Sequence, residues 1–379
     1  MRRTIDSTLA FASAISATVL LAGCTIFSNE PSPTALPTGG ARTASALIST
    51  ETATPSPTAG PVKSVTLVAL VGEPKDWTPA GLTWLGIQDT ARQIGASASL
   101  IEPLSSAELS ADVEAAAAAE ATVVVTVGSA ADAAVQAAAA AHPTTQFVEV
   151  GMVVPDASPA NVHGLAFDEA EAGYLGGYVA AAFAGSDKVG MVGDTKTDTR
   201  TADYAAGFRN GASEAVPGVA VTVAYSGTPY LPEEGRTAAA ALVKTGDTVI
   251  MTMPSLSGIG AMREACTRKA QVVAIDVDAW QIVPDVRPCL IVSVTNRYDV
   301  AITDALLAIA AGRALPLVTV NDVANGGIAL SAFHADLPAG FQADLDAVIG
   351  ALKAGPPRPT AAPPSAAPSG GPSGSPAPS

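Results

Sequence analysis

Carboxylates, hydroxyls and glycines at the ends of apolar runs are the groups in this chain best placed to do chemistry. Asp276 closes the run Val272-Val273-Ala274-Ile275. A carboxylate at the mouth of a sheet is suited to accept two hydroxyl hydrogen bonds, as from a ribose diol. The plainer alternative is a helix cap or a solvated turn, and Asp278 reads as that surface residue. The segments Val127-Gly128-Ser129, Met253 to Gly260 and Ser293 to Asn296 share the strand-end placement. Ser257-Gly258-Ile259-Gly260 opens a helix; it offers backbone N–H groups to a ligand oxygen, or is only a tight connection. Asp168 and Glu171 fit a capping box before Tyr174 to Phe183, with a carboxylate in a cleft as the second reading. Asp299 reads as another cap, with Gly312 as the stop of its helix. Aromatic residues make up only 4% of the chain, so Trp77, Tyr230 and Trp280 in strand-end loops are the candidates to stack on a planar ligand. Trp84, inside a helix, reads as core.

Several chemistries are excluded. There is no G-x-S-x-G elbow, H-E-x-x-H pair or Walker loop, and no G-x-G-x-x-G after a strand. No catalytic set is visible, so binding is expected rather than catalysis, with no cofactor. His142, His163 and His334 lack ligand spacing, and no metal is expected. The formal net charge of −15, from 20 Lys plus Arg against 35 Asp plus Glu, argues against nucleic acid as a partner. Of the three cysteines, Cys266 and Cys289 form an even pair, readable as a disulfide or as two buried thiols.

These groups need a scaffold, and the chain spells one. Short β-branched runs at Val65 to Val71, Thr122 to Val127, Gln146 to Val150, Lys188 to Val192, Ala220 to Tyr225, Thr248 to Met251 and Val272 to Ile275 alternate with Ala-rich helical stretches. Continuous apolar strands covered by helices indicate parallel sheets. Their number exceeds one ordinary open sheet, so two α/β lobes are expected. Ligands bind outside the carboxyl ends of such strands.

The chain ends differ in kind. Arg2 and Arg3 precede Leu9 to Ala22, an apolar stretch too short for an ordinary membrane span. Leu21-Ala22-Gly23-Cys24 closes it and resembles the lipobox of bacterial lipoproteins. That resemblance implies export and a lipid anchor on Cys24 at the outer face of the cell membrane; a plain secretory signal is the alternative. Residues 25–61 and 355–379, rich in Pro, Ser, Thr, Ala and Gly, read as a flexible tether and tail.

Further motifs run in order: Asp76 to Gln88 (DWTPAGLTWLGIQ), Glu169 to Tyr178 (EAEAGYLGGY), Lys188 to Gly193 (KVGMVG), Ala206-Gly207-Phe208 with Asn210-Gly211-Ala212, Ile275 to Asp278, Ser293-Val294, and Asp322 to Leu330 (DVANGGIAL). From Val65 to about Leu337 the chain thereby resembles the basic membrane protein lipoproteins, also called the purine nucleoside receptor-like family. The resemblance implies a type I periplasmic-binding-protein fold, two doubly wound parallel-sheet lobes joined by three crossovers. It implies a monomeric substrate-binding protein serving an ABC transporter permease, with nucleosides as ligands and Asp276 at the ribose-binding aspartate. Asp76, Trp77, Ser129, Asp168, Tyr230, Gly258 and Asn296 complete the expected ligand site. The expected division assigns residues 62–166 with 276–325 to the first lobe and 167–275 with 326–354 to the second. The chain departs from the family where Thr78-Pro79-Ala80-Gly81 replaces Ser-Phe-Asn-Gln, where Asn296 replaces a lysine, and where Pro229 replaces a second stacking Phe. Either Trp77 and Tyr230 stack from shifted positions, or the pocket takes another ligand. A surface sensor or interaction lipoprotein on the same fold is the alternative.

Overall fold

The computed structural model describes residues 61–70, 77–185 and 188–355, so Cys24, Asp76, the tether and the tail lie outside the described residues. The first half runs β1 (Ser64–Val68), α1 (Pro79–Ile94), β2 (Ser97–Ile101), α2 (Ser106–Ala118), β3 (Val123–Val127), α3 (Asp132–Ala141), β4 (Gln146–Val150) and β5 (Val162–Phe167). There follow α4 (Glu169–Ala184), β6 (Lys188–Gly193), α5 (Thr199–Ala215), β7 (Ala220–Tyr225), α6 (Pro232–Thr245), β8 (Val249–Thr252), α7 (Leu256–Thr267), β9 (Gln271–Asp276), α8 (Ala279–Ile282) and β10 (Leu290–Asn296). The chain closes with α9 (Tyr298–Ala310), β11 (Val318–Asn321), β12 (Ile328–Leu330) and α10 (Phe341–Ala354).

Two six-stranded sheets result, ordered β11-β5-β4-β3-β1-β2 and β12-β10-β9-β8-β6-β7. All pairings are parallel except β10 with β12. Strands such as β3, β-branched at every position (VVVTV), suit a pleated surface buried on both faces. Parallel pairing demands long crossovers, which the helices supply. Local signals set their ends: the Thr78 hydroxyl accepts the Gly81 N–H at 3.0 Å, Pro79 occupies the first turn of α1, and Gly95 stops it at φ +73°.

The chain crosses between lobes at Phe167–Glu169, at Asn296–Tyr298 and between β11 and β12. This corrects the expected lobe division. The strand Leu290–Asn296, assigned to the first lobe, pairs with β9 in the second sheet, with Val294 opposite Ile275. Only after Asn296 does the chain return, as α9 packs on α1; a Cβ on Gly86 would lie 2.6 Å from the Asp299 carbonyl oxygen. Register with β9, not sequence distance from it, decides where this strand belongs. Asp299 likewise sits inside the first turn of α9 rather than capping it, where it pairs with Arg297 through two bonds of 2.9 and 2.7 Å.

The contact of α4 with α5 matters most for the site. A Cβ on Gly173 or Gly177 would fall 2.3 or 2.1 Å from the carbonyl oxygen of Tyr204 or Phe208. Conversely, a Cβ on Gly207 or Gly211 would fall 1.9 Å from the carbonyl oxygen of Ala170 or Tyr174. Only glycine allows this backbone-on-backbone approach. It sets the first turns of α4 and α5 side by side. On the far side of the second lobe, Cys266 of α7 is joined by a disulfide to Cys289, their Cα atoms 5.5 Å apart.

Candidate ligand-binding site

A cavity of about 380 Å³ opens where strand ends of both sheets meet the crossovers. The first lobe supplies Thr78, Pro79 and Ala80 at the start of α1, with Val127-Gly128 and Val150-Gly151 at the ends of β3 and β4. The second supplies Glu169, Arg200, Pro254 and Asp276, and the crossovers place Phe167 and Tyr298 between them. The wall is mostly apolar with a few charged groups, the usual make-up of a small-molecule site.

Asp276 is the best-defined of these groups. It is only 5% exposed, ends β9, and holds φ +78°, a conformation that costs a non-glycine residue roughly 1–2 kcal/mol. Such a conformation persists when its surroundings overdetermine it. Here the Tyr298 hydroxyl donates to Asp276 Oδ1 at 2.6 Å and Asn296 Nδ2 donates to the same oxygen at 2.7 Å. Arg200 Nη2 stands 3.8 Å away. All three contacts fall on Oδ1, leaving Oδ2 without a bond among the described residues.

Arg200 Nε donates to Glu169 Oε1 at 3.1 Å. Burial raises the Glu169 carboxyl above its ordinary range, against the pull of Arg200. Burial also disfavours the Arg200 charge, but Tyr204, Asp276, Tyr298 and Glu169 outweigh it, and the guanidinium is held protonated. Burial pushes the Tyr298 and Tyr204 hydroxyls well up, so both stay neutral donors.

The other expected site residues fall into two groups. Asn296 does not line the cavity but orients Asp276 from behind. Asp168 caps α4 by accepting the Glu171 N–H at 2.9 Å, and its neighbour Glu169 faces the cavity instead. The Glu171 carboxylate accepts the Val323 N–H at 2.8 Å, tying α4 to the third crossover. Gly258 gives its N–H to the Ser255 hydroxyl that caps α7. Ser129 is exposed and Gly128, before it, lines the cavity. Trp77, at φ +68° and 37% exposed, borders the lining residue Thr78 without lining the cavity itself. Tyr230 is 74% exposed and does not line the cavity. Trp280 stacks on His334, ring centroids 3.7 Å apart, under the Arg287 guanidinium. Among the described residues Phe167 and Tyr298 are the aromatic ones in the lining. Among the described residues no group of three or more His, Cys, Asp or Glu is placed to hold a metal ion.

Two parallel-dominated α/β lobes with a cavity at the crossovers define the type I periplasmic-binding-protein fold. An ABC transporter solute-binding protein from Conexibacter woesei matches over 76% of this chain and 95% of its own, with TM-score 0.63 and 24% identity, a likeness that speaks for the fold alone. The chain belongs to the family of PnrA-like ABC transporter substrate-binding proteins, the Bmp family, whose model matches residues 73–324. Among relatives, the ABC transporter nucleoside-binding protein BmpA of Lactococcus lactis is 32% identical over 129 residues, 34% of this chain and 36% of that protein. Basic membrane protein A of Borreliella burgdorferi is 28% identical over 132 residues, 34% of this chain and 39% of that one. The matched stretch thus spans little more than a third of either relative. Family and fold are those of extracytoplasmic substrate-binding proteins, and no helix among the described residues is long and apolar enough to cross a membrane.

Proposed function

We propose that this protein captures a small hydroxylated ligand, a nucleoside, between its lobes and hands it unchanged to an ABC permease, while lipid on Cys24 tethers it to the outer face of the membrane. The observation that carries this reading is Asp276: a strained, buried carboxylate whose Oδ1 is held by Tyr298 and Asn296 while Oδ2 has no protein partner among the described residues. A carboxylate so fixed is preorganised to accept hydroxyl protons, and the nucleoside-binding relative supports the ligand class. Contacts from both lobes give the ligand its differential affinity for the closed state.

A thermal-shift screen of the full chain against nucleosides, bases, sugars and amino acids tests this. A ligand at 100 times its dissociation constant adds about 2.7 kcal/mol of stability. Stabilisation by nucleosides supports the reading. A response only to another class removes the nucleoside and keeps the binding protein. Silence from folded, ligand-free protein shifts the role to a surface sensor or interaction lipoprotein on this fold.

A further inference from the structure

Resting on the nucleoside reading of this cavity, the geometry points to a specificity that neither family nor fold assigns: we infer that Arg200 and Glu169 select 6-oxopurine nucleosides over adenosine by reading the edge of the base.

The two side chains form one preset recognition surface. Glu169 is the first residue of α4 and Arg200 lies in the first turn of α5, and the glycine-lined contact of those helices holds them together. Arg200 spends its Nε proton on Glu169 Oε1. Its Nη2 is 3.8 Å from Asp276, beyond hydrogen-bond distance, so the fork formed by the terminal nitrogens keeps its donors. The guanidinium lies 5.9 Å from the Tyr204 ring centroid, within cation–π range. Glu169 Oε2 has no hydrogen bond to another residue among the described ones. The cavity wall therefore offers, in order, the Asp276 carboxylate, a pair of N–H donors and a carboxylate acceptor.

A 6-oxopurine nucleoside presents the complement in the same order. The ribose hydroxyls are donors for Asp276. Next along the base come N7 and O6, two acceptors that a guanidinium fork takes together, and then the N1–H donor. Guanosine adds a 2-amino donor beyond it. Adenosine breaks the order, because its 6-amino group sets N–H against N–H where O6 would stand. Neither Asn296 nor Tyr298 offsets that mismatch: the Tyr298 hydroxyl is committed to Asp276, and the Asn296 carboxamide oxygen, though without a partner among the described residues, is buried outside the cavity lining.

Calorimetric titration of the full chain with inosine, guanosine and adenosine tests the inference. The expected result is that both oxopurines bind about tenfold or more tighter than adenosine. Arg200→Ala brings the three ligands to within about twofold of one another. Arg200→Lys, which keeps the charge and loses the fork, does the same. Glu169→Gln weakens the oxopurines and spares adenosine. Thermal unfolding of each variant confirms that it is folded. Adenosine binding as tightly as inosine to the parent protein overturns the inference, as does an equal loss for all three ligands in both Arg200 variants. In those cases nucleoside binding itself survives. Failure of every purine nucleoside to bind folded protein overturns the nucleoside reading and this inference with it.

Discussion

Asp276 and Glu149 are both buried carboxylates, yet their surroundings make them opposites. Asp276 is met by two donors, stands 3.8 Å from the Arg200 guanidinium and faces a cavity. Asp276→Ala removes the acceptor for ligand hydroxyls and leaves the Tyr298 hydroxyl and Asn296 amide unpaired. Nucleoside affinity is expected to fall by at least about 2 kcal/mol, roughly 30-fold, in titration calorimetry; unchanged affinity would remove Asp276 from the site. Glu149 is 0% exposed on β4, opposite Thr126 of β3, and neither of its oxygens has a partner with hydrogen-bond geometry. Burial first, then the nearby Asp132 charge, push its carboxyl from the ordinary 4.5 up to about 8. The folded state therefore holds this proton more tightly than the unfolded chain does. The stability it contributes is complete below about pH 4.5, declines as pH rises, and is lost above about 8. Glu149→Gln, which mimics the protonated acid, is expected to melt near the parent at pH 4. By pH 9 its advantage should reach up to about 4 kcal/mol. An equal offset at both pH values would refute the buried-proton account.

At the scale of elements, the site depends on two helices touching backbone to backbone. Gly207→Ala would place a Cβ 1.9 Å from the Ala170 carbonyl oxygen, so α4 and α5 must part. The expected cost is about 1–3 kcal/mol in urea unfolding. A loss of ligand affinity should accompany it, because Ala170 adjoins Glu169. Gly211→Ala, one turn further along α5, should cost similar stability and less affinity; equal affinity losses would argue against positioning by the first turns. Of these helices α4 was legible in the sequence through its capping box and the apolar run behind it. β2 was not, because its sequence SASLI is polar and largely exposed at a sheet edge, without the apolar run that marks a central strand.

For the whole molecule, the disulfide pins the end of α7 to the approach of β10 across 23 residues. Cys266→Ser is expected to cost about 3 kcal/mol, read as a lower melting temperature that added reductant does not lower further. Ligand specificity should be unchanged, because neither cysteine lines the cavity. Two of the three crossovers do double duty, joining the lobes and supplying Phe167 and Glu169, from the first, and Tyr298, from the second, to the cavity. Ligand contacts and lobe motion are thus made by the same short segments, as a closing binder requires.

The sequence by itself determined the alternation of buried strands with helices, the two-lobed class, and Asp276 at the mouth of β9. Each is written in a few consecutive residues: β-branched runs, caps, and a charged residue ending an apolar stretch. Tertiary structure alone decided that β10 joins the second sheet, and that Tyr298 and Asn296 hold Asp276 from 22 and 20 residues away. It also decided that Arg200 meets Glu169 and that Tyr230 stays exposed outside the cavity lining. These outcomes depend on which strands become neighbours and how closely two helices approach. No local pattern encodes such distances, because contacts between segments remote in sequence form only once the whole core has packed.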